Sequence, residues 1–150
     1  MISKNTKYGL KATLFLAKRY SVKAPVLISE ISEKEGIPKK FLESILLQLK
    51  NKGLLASRKG KGGGYLLARE PSQISFGDVI RVFEGSMAPV PCVEPGRQAN
   101  CPECQGEGIC SVRMVMRELY NVTIGILDGT SLEQANEKAK RAEAVGMYFI

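Results

Sequence analysis

Four cysteines, Cys92, Cys101, Cys104 and Cys110, stand within nineteen positions of this 150-residue chain, in the order C-x8-C-x2-C-x5-C. Thiolates are soft ligands, and a C-x2-C pair with two further cysteines nearby suits Zn²⁺ or an iron–sulfur cluster. The same sulfurs could instead form a thiol-based redox switch. Scattered cysteines usually serve as small buried hydrophobes. These four occupy a proline- and glycine-rich stretch with no apolar periodicity, which makes them poor core candidates. Composition and spacing leave zinc, iron–sulfur and redox chemistry open, with all four cysteines as candidate ligands.

A second stretch with chemical content is GKGGGY, residues 60–65, preceded by Arg58 and Lys59. Glycine-rich turns beside basic residues cradle phosphates. A dinucleotide fingerprint requires a helix after the glycines, and a P-loop requires Gly-Lys-Ser/Thr. Here the glycines lead into Tyr65-Leu66-Leu67, a strand-like run, and no Ser or Thr follows a lysine in the required place. A plain hairpin turn needs only one or two glycines. A third glycine, among Arg58, Lys59 and Lys61, suggests a backbone lying close against an anion, as in a wing along nucleic-acid phosphates.

Charge supports that reading. Residues 1–70 carry 15 Lys or Arg against 5 Asp or Glu, whereas residues 71–150 carry 7 against 10. The first half therefore suits a polyanionic partner and the second does not. The N-terminal twenty residues interleave charges with apolar side chains and so form neither a signal peptide nor a membrane span. No stretch approaches the roughly 18 apolar residues of a spanning helix. A cytoplasmic protein is expected, and its reducing surroundings disfavour disulfides.

The elements that must position these residues follow from periodicity. A helix is expected over 4–20 and a short one over about 28–35, ending at Gly36. A third begins at Pro38, with Phe41, Leu42, Ile45, Leu46 and Leu49 as its buried stripe and Gly53 at its end. LLASRKG and GYLLA flank the glycine turn as a β-hairpin. Three helices followed by a basic-tipped hairpin make a winged helix-turn-helix. Ser75 and Asp78 form a capping box for a fourth helix, and a long amphipathic helix spans about 110–128. Ser131 and Gln134 cap a last charged helix that runs to about 144. The expected fold class is mainly α with a small β-hairpin wing. Its expected organisation is a winged helix-turn-helix domain at 1–85, a cysteine-bearing loop at 86–109, and a long amphipathic helix with a C-terminal helix at 110–150.

Lys7-Tyr8-Gly9-Leu10, Ile31, Gly36-Ile37-Pro38, Phe41-Leu42-Glu43, Leu49, Gly53-Leu54 and the GKGGGY-Leu-Leu-Ala run together resemble the Rrf-two family of bacterial winged-helix transcription regulators. The resemblance runs from residue 1 to about 128, and the glycine wing is its most specific part. It implies a homodimer that crosses two long helices at about 110–128 and sets two winged helices on a pseudo-palindromic double-stranded DNA operator. The same resemblance would make 1–85 the DNA-binding domain, 86–109 the sensor loop, and the long helix of 110–150 the dimerisation helix. By motif position, the resemblance implies that Lys39, Lys40, Glu43 and Ser44 on the third helix would face the major groove. Arg58, Lys59, Lys61, Gly62, Gly63, Gly64 and Tyr65 form the wing. Lys39 and Lys40 would hold phosphates, and Glu43 could accept a hydrogen bond from cytosine N4.

The family's sensors ligate an iron–sulfur cluster, 2Fe-2S or 4Fe-4S, through three cysteines of this same loop, and Cys92, Cys104 and Cys110 match that trio. This chain departs in its longer first gap, its extra Cys101 and its complete lack of histidine. Cys101 is thus the expected fourth ligand, with Glu103, Glu107 or a group from another subunit as alternatives. Some relatives hold no cluster, so a zinc-binding or cluster-free regulator that answers to a small molecule, a partner protein or thiol oxidation is the second reading. An enzyme is disfavoured, because no histidine is present for general base work and no carboxylate pair sits in a catalytic motif. A protein-interaction module, with the lysines merely solubilising, is the remaining rival.

Overall fold

The computed structural model of the protein describes residues 2–97 and 109–146. Helix α1 (Lys4–Lys18) starts where the Ser3 hydroxyl accepts the Thr6 amide, and it ends two residues earlier than its apolar pattern suggests. A 3-10 turn at Tyr20–Val22 follows. Helix α2 (Ile28–Glu35) stops at Gly36, whose φ of 64° is left-handed, and the Ile37 amide returns to the Ser32 carbonyl at 3.1 Å. That turn delivers the chain directly into α3 (Lys39–Asn51).

Leu42, Ile45, Leu46 and Leu49 of α3 are buried, at the three- and four-residue steps of one helix face. Burial of each such side chain stabilises the fold by about 1.5–3 kcal/mol. Phe41, expected in that stripe, is 44% exposed. It lies a quarter-turn off the buried face, and the Lys40 ammonium stands 5.3 Å from its ring centre.

Strands β1 (Leu55–Arg58) and β2 (Gly64–Leu67) pair antiparallel, with Leu55 opposite Leu67 and Arg58 opposite Gly64. Val26, in the loop before α2, adds a single bridge to Tyr65 through hydrogen bonds of 2.8 and 2.9 Å. The hairpin is thereby tied to the entrance of the helix-turn-helix. Helix α4 (Phe76–Glu84) begins with the expected Ser75–Asp78 capping box and packs across α1. The two helices approach closely enough at Gly9 that a β-carbon there would strike the Phe83 ring.

Helix α5 (Ser111–Gly129) buries none of its residues. Helix α6 (Leu132–Ala144) carries the expected Ser131–Gln134 capping box. It folds back onto α1, with Leu132 fully buried in the core and the Asn136 amide donating to the Leu14 carbonyl at 3.1 Å. The starts of α4 and α6 are joined by a bridge between Ser75 and Ser131, so α6 packs with the winged-helix head. No helix among the described residues is long and apolar enough to cross a membrane.

Candidate nucleic-acid interface and cysteine segment

A groove of about 490 Å³ lies between the start of α2, one face of α3 and the hairpin. It is lined from α3 by Lys39, Glu43 and Lys50, and from the hairpin by Ser57, Arg58, Lys59, Gly60, Gly63, Gly64 and Tyr65. Positions 39, 43 and 50 recur at helical spacing, which places their side chains on the one flank of α3 that faces the wing. The structure therefore brings Lys39, Glu43, Arg58, Lys59, Gly63, Gly64 and Tyr65 together. Lys40 and Ser44 are exposed on the adjoining stripe of α3, and Lys61 and Gly62 are exposed at the hairpin tip; none of these four lines the groove. Lys50 was missed by motif reasoning although its periodicity with Lys39 and Glu43 signals it. Ile28 and Ser29 also line the groove, brought there by the long-range Val26–Tyr65 bridge, for which the sequence carries no local sign.

The three glycines serve different needs. Gly62 has a φ of 77° with open space around it, so it answers a conformational demand alone. Gly63 is buried, its amide donates to the Gly60 carbonyl at 3.0 Å, and a β-carbon there would collide with the Arg58 carbonyl. Gly64 has a φ of 146°, and its β-carbon would collide with the Val26 backbone. A close backbone approach at the third glycine is thus made within the chain, to Arg58 at Gly63 and to Val26 at Gly64.

Of the four cysteines, Cys101 and Cys104 lie outside the described residues, as do Glu103 and Glu107. Cys92 lies in a 3-10 turn at Pro91–Val93 whose Val93 is fully buried, and that turn packs against α5. Cys110 is the N-cap of α5, its sulfur accepting the Arg113 amide at 3.5 Å. Both cysteines are free thiols and half-buried. At the other end of α5, the Arg81 guanidinium of α4 forks onto the Asp128 carboxylate with two contacts of 2.8 Å. That pair holds the Arg81 guanidinium above its ordinary pKa.

Residues 2–138 match the protein family described as "Rrf2: Iron-dependent Transcriptional regulator". The chain belongs to the Rrf2 family. A putative Rrf2-like transcriptional regulator of Rhodobacter capsulatus is 37% identical over 135 residues, covering 89% of this chain and 90% of that protein. The regulator CymR of Bacillus subtilis is 31% identical over 149 residues, covering 99% of each chain. Its solved structure, described as that of the global cysteine regulator, superposes with a TM-score of 0.77 over 92% of this chain and 97% of its own. The solved structure of IscR from T. potens gives a TM-score of 0.75 at 29% identity, over 95% of this chain and 90% of its own. The Rrf2 chain is accordingly a transcriptional regulator with a winged-helix fold, in a family of regulators and not of enzymes.

Proposed function

We propose that this Rrf2 protein is a homodimeric, sequence-specific DNA-binding regulator whose wing and α3 grip a pseudo-palindromic operator, and whose cysteine segment sets that grip by holding an iron–sulfur cluster. The observation that carries the DNA-binding half is the groove that unites Lys39 and Glu43 of α3 with Arg58 and Lys59 of the wing. Cations at both rims suit phosphates, which position the protein. Glu43 between them suits the exposed N4 amino group of a cytosine, which specifies sequence. Lys40, Ser44, Lys61 and Gly62 extend the same surface outward, Lys40 and Lys61 toward phosphates and Ser44 toward base edges.

Dimerisation rests on α5. Val112, Val115, Leu119, Val122 and Ile126 step by three and four residues along it, the seam of a two-stranded coiled coil, and each is at least 51% exposed. A second copy of the same helix would cover that stripe. The two recognition surfaces would then stand about one helical turn of DNA apart, roughly 34 Å.

The donor chemistry of the cysteine segment fits a cluster: Cys92 and Cys110 are free, half-buried soft donors on two segments that pack together, and the family is described as iron-dependent. Cys92, Cys104 and Cys110 would hold it, with Cys101 as fourth ligand. A bound cluster supplies iron–sulfur bonds sensitive to oxidation and nitric oxide. The chain's own part is mechanical. Fixing the Cys110 sulfur fixes the first turn of α5, and the Arg81–Asp128 fork carries the setting of α5 onto α4 and the winged-helix head.

Anaerobic purification with iron and sulfide analysis, alongside DNA-binding titrations across salt concentration, tests both halves. Iron and labile sulfide bound in parallel, together with a steep salt dependence, are expected. A colourless protein with one zinc per chain would sink the cluster, and binding indifferent to salt would sink the DNA interface.

A further inference from the structure

A second cavity, of about 270 Å³, lies between the end of α1 and the hairpin. Its apolar wall is formed by Leu16, Val26 and Leu67, all buried, and three cations reach it: Arg19, Lys23 and Arg58. Arg19 is held in place by an ion pair with Glu30 and by the Phe15 ring, 5.4 Å from its guanidinium. Lys23 and Arg58 have no carboxylate partner among the described residues. Lys23 is also the only non-glycine residue at positive φ among them, at 52°. That conformation caps the Tyr20–Val22 turn, the Lys23 amide returning to the Tyr20 carbonyl at 3.1 Å, and so fixes the backbone from which the Lys23 side chain reaches the cavity. Arg58 is the one residue common to this cavity and the proposed DNA groove.

We propose that this cavity is a binding site for a small anionic metabolite, with its carboxylate or phosphate on Lys23 and Arg58 and a short apolar part against Leu16, Val26 and Leu67. The recess is concave with an apolar floor, whereas a duplex presents its phosphates on a convex ridge, so a small molecule fits it better than DNA. Its volume lies just below that of ordinary small-molecule pockets, which sets an upper size near that of an amino or keto acid. Occupancy would draw the Arg58 guanidinium toward α1 and away from the groove, so that anion and operator compete for one side chain. By linkage each would weaken the other equally. This coupling rests on the proposed DNA interface; the anion site itself does not.

The test titrates the full chain by calorimetry with inorganic phosphate, pyruvate and butyrate, at constant ionic strength balanced with chloride. Lys23→Gln is the site variant, and Lys34→Gln, on the exposed end of α2, is the control. Saturable binding of at least one probe is expected, weakened tenfold or more by Lys23→Gln and unchanged by Lys34→Gln. Comparison of phosphate with the two carboxylates identifies the head group. No saturable binding, or equal weakening in both variants, would overturn the site. In a second arm, the best probe should lower affinity for operator-bearing DNA severalfold in the wild type and not in Lys23→Gln. An equal fall in both proteins would mean general ionic screening and overturn the coupling through Arg58, while the calorimetric result judges the site independently.

Discussion

Glu84 shows how much one exposed-looking carboxylate can be committed to the fold. It accepts hydrogen bonds from the Ser3 amide at 2.6 Å and from the buried Thr6 hydroxyl, closing the last turn of α4 over the first turn of α1. The Thr6 hydroxyl, followed by the Ser3 amide, lowers its pKa from 4.5 to about 2. A depressed folded-state pKa stabilises the protein above the unfolded value, and that contribution is lost as pH falls from about 4.5 toward about 2. Glu84→Gln is therefore expected to lower stability at pH 7 and to flatten its fall across that acid window, as read by urea midpoints at several pH values. A parallel acid profile in the variant would assign the acid sensitivity elsewhere. The wing lysines act through solvent-facing charge instead. Lys59→Ala with Lys61→Ala should weaken binding to all DNA sequences and reduce the slope of log affinity against log salt by about two per protomer, hence about four for a dimer on its operator. An unchanged slope would remove both from phosphate. Glu43→Ala should instead redistribute preference among operator variants, by about 1–3 kcal/mol at a cytosine it reads.

At the scale of elements, the hairpin carries the sharpest distinction. Gly62 and Gly64 both have positive φ, but only Gly64 lies against backbone, that of Val26. Gly62→Ala should cost about 1 kcal/mol, the price of the left-handed conformation. Gly64→Ala should cost more, about 1–3 kcal/mol, and should expose the Val26 and Tyr65 amides to hydrogen exchange, because the bridge must open. Equal costs would show that the Val26 approach is not what demands glycine. This difference marks where the sequence was legible. Helix ends with a local signature, such as Ser75–Asp78, Ser131–Gln134 and Gly36, lie where their residue types put them. The apolar stripe of α3 was readable because periodicity is a local property, and Phe41 left it because it stands at the edge of that face. What was not legible depends on contacts distant in sequence. The Val26–Tyr65 bridge brings Ile28 and Ser29 to the groove, Asp128 meets Arg81 across 47 positions, and α6 returns to α1. The half-buried Cys92 beside a fully buried Val93 was equally hidden within a stretch read as plain loop.

At the scale of the whole molecule, the proposed dimer decides whether weak single grips add up to regulation. One winged helix offers a small basic groove, and two such grooves linked rigidly gain an effective concentration that can raise affinity by about 10²–10⁴. That gain requires the α5 seam to close on a second copy. Leu119 lies mid-seam and is 51% exposed in the single chain, so Leu119→Asp would bury a carboxylate against its own copy in any paired seam. Two like charges at a desolvated interface cannot both be accommodated. Because Leu119 lies outside the core cluster of its own chain, α1–α4 and α6 should fold as before, with an unchanged helical spectrum. Sedimentation should then show a monomer where the wild type is a dimer. Affinity for a palindromic operator should fall by about two orders of magnitude or more, and affinity for an isolated half-site should stay within a factor of about two. Equal losses on half-site and palindrome would place the defect in the winged helix itself, and a variant that remains dimeric would remove α5 as the seam.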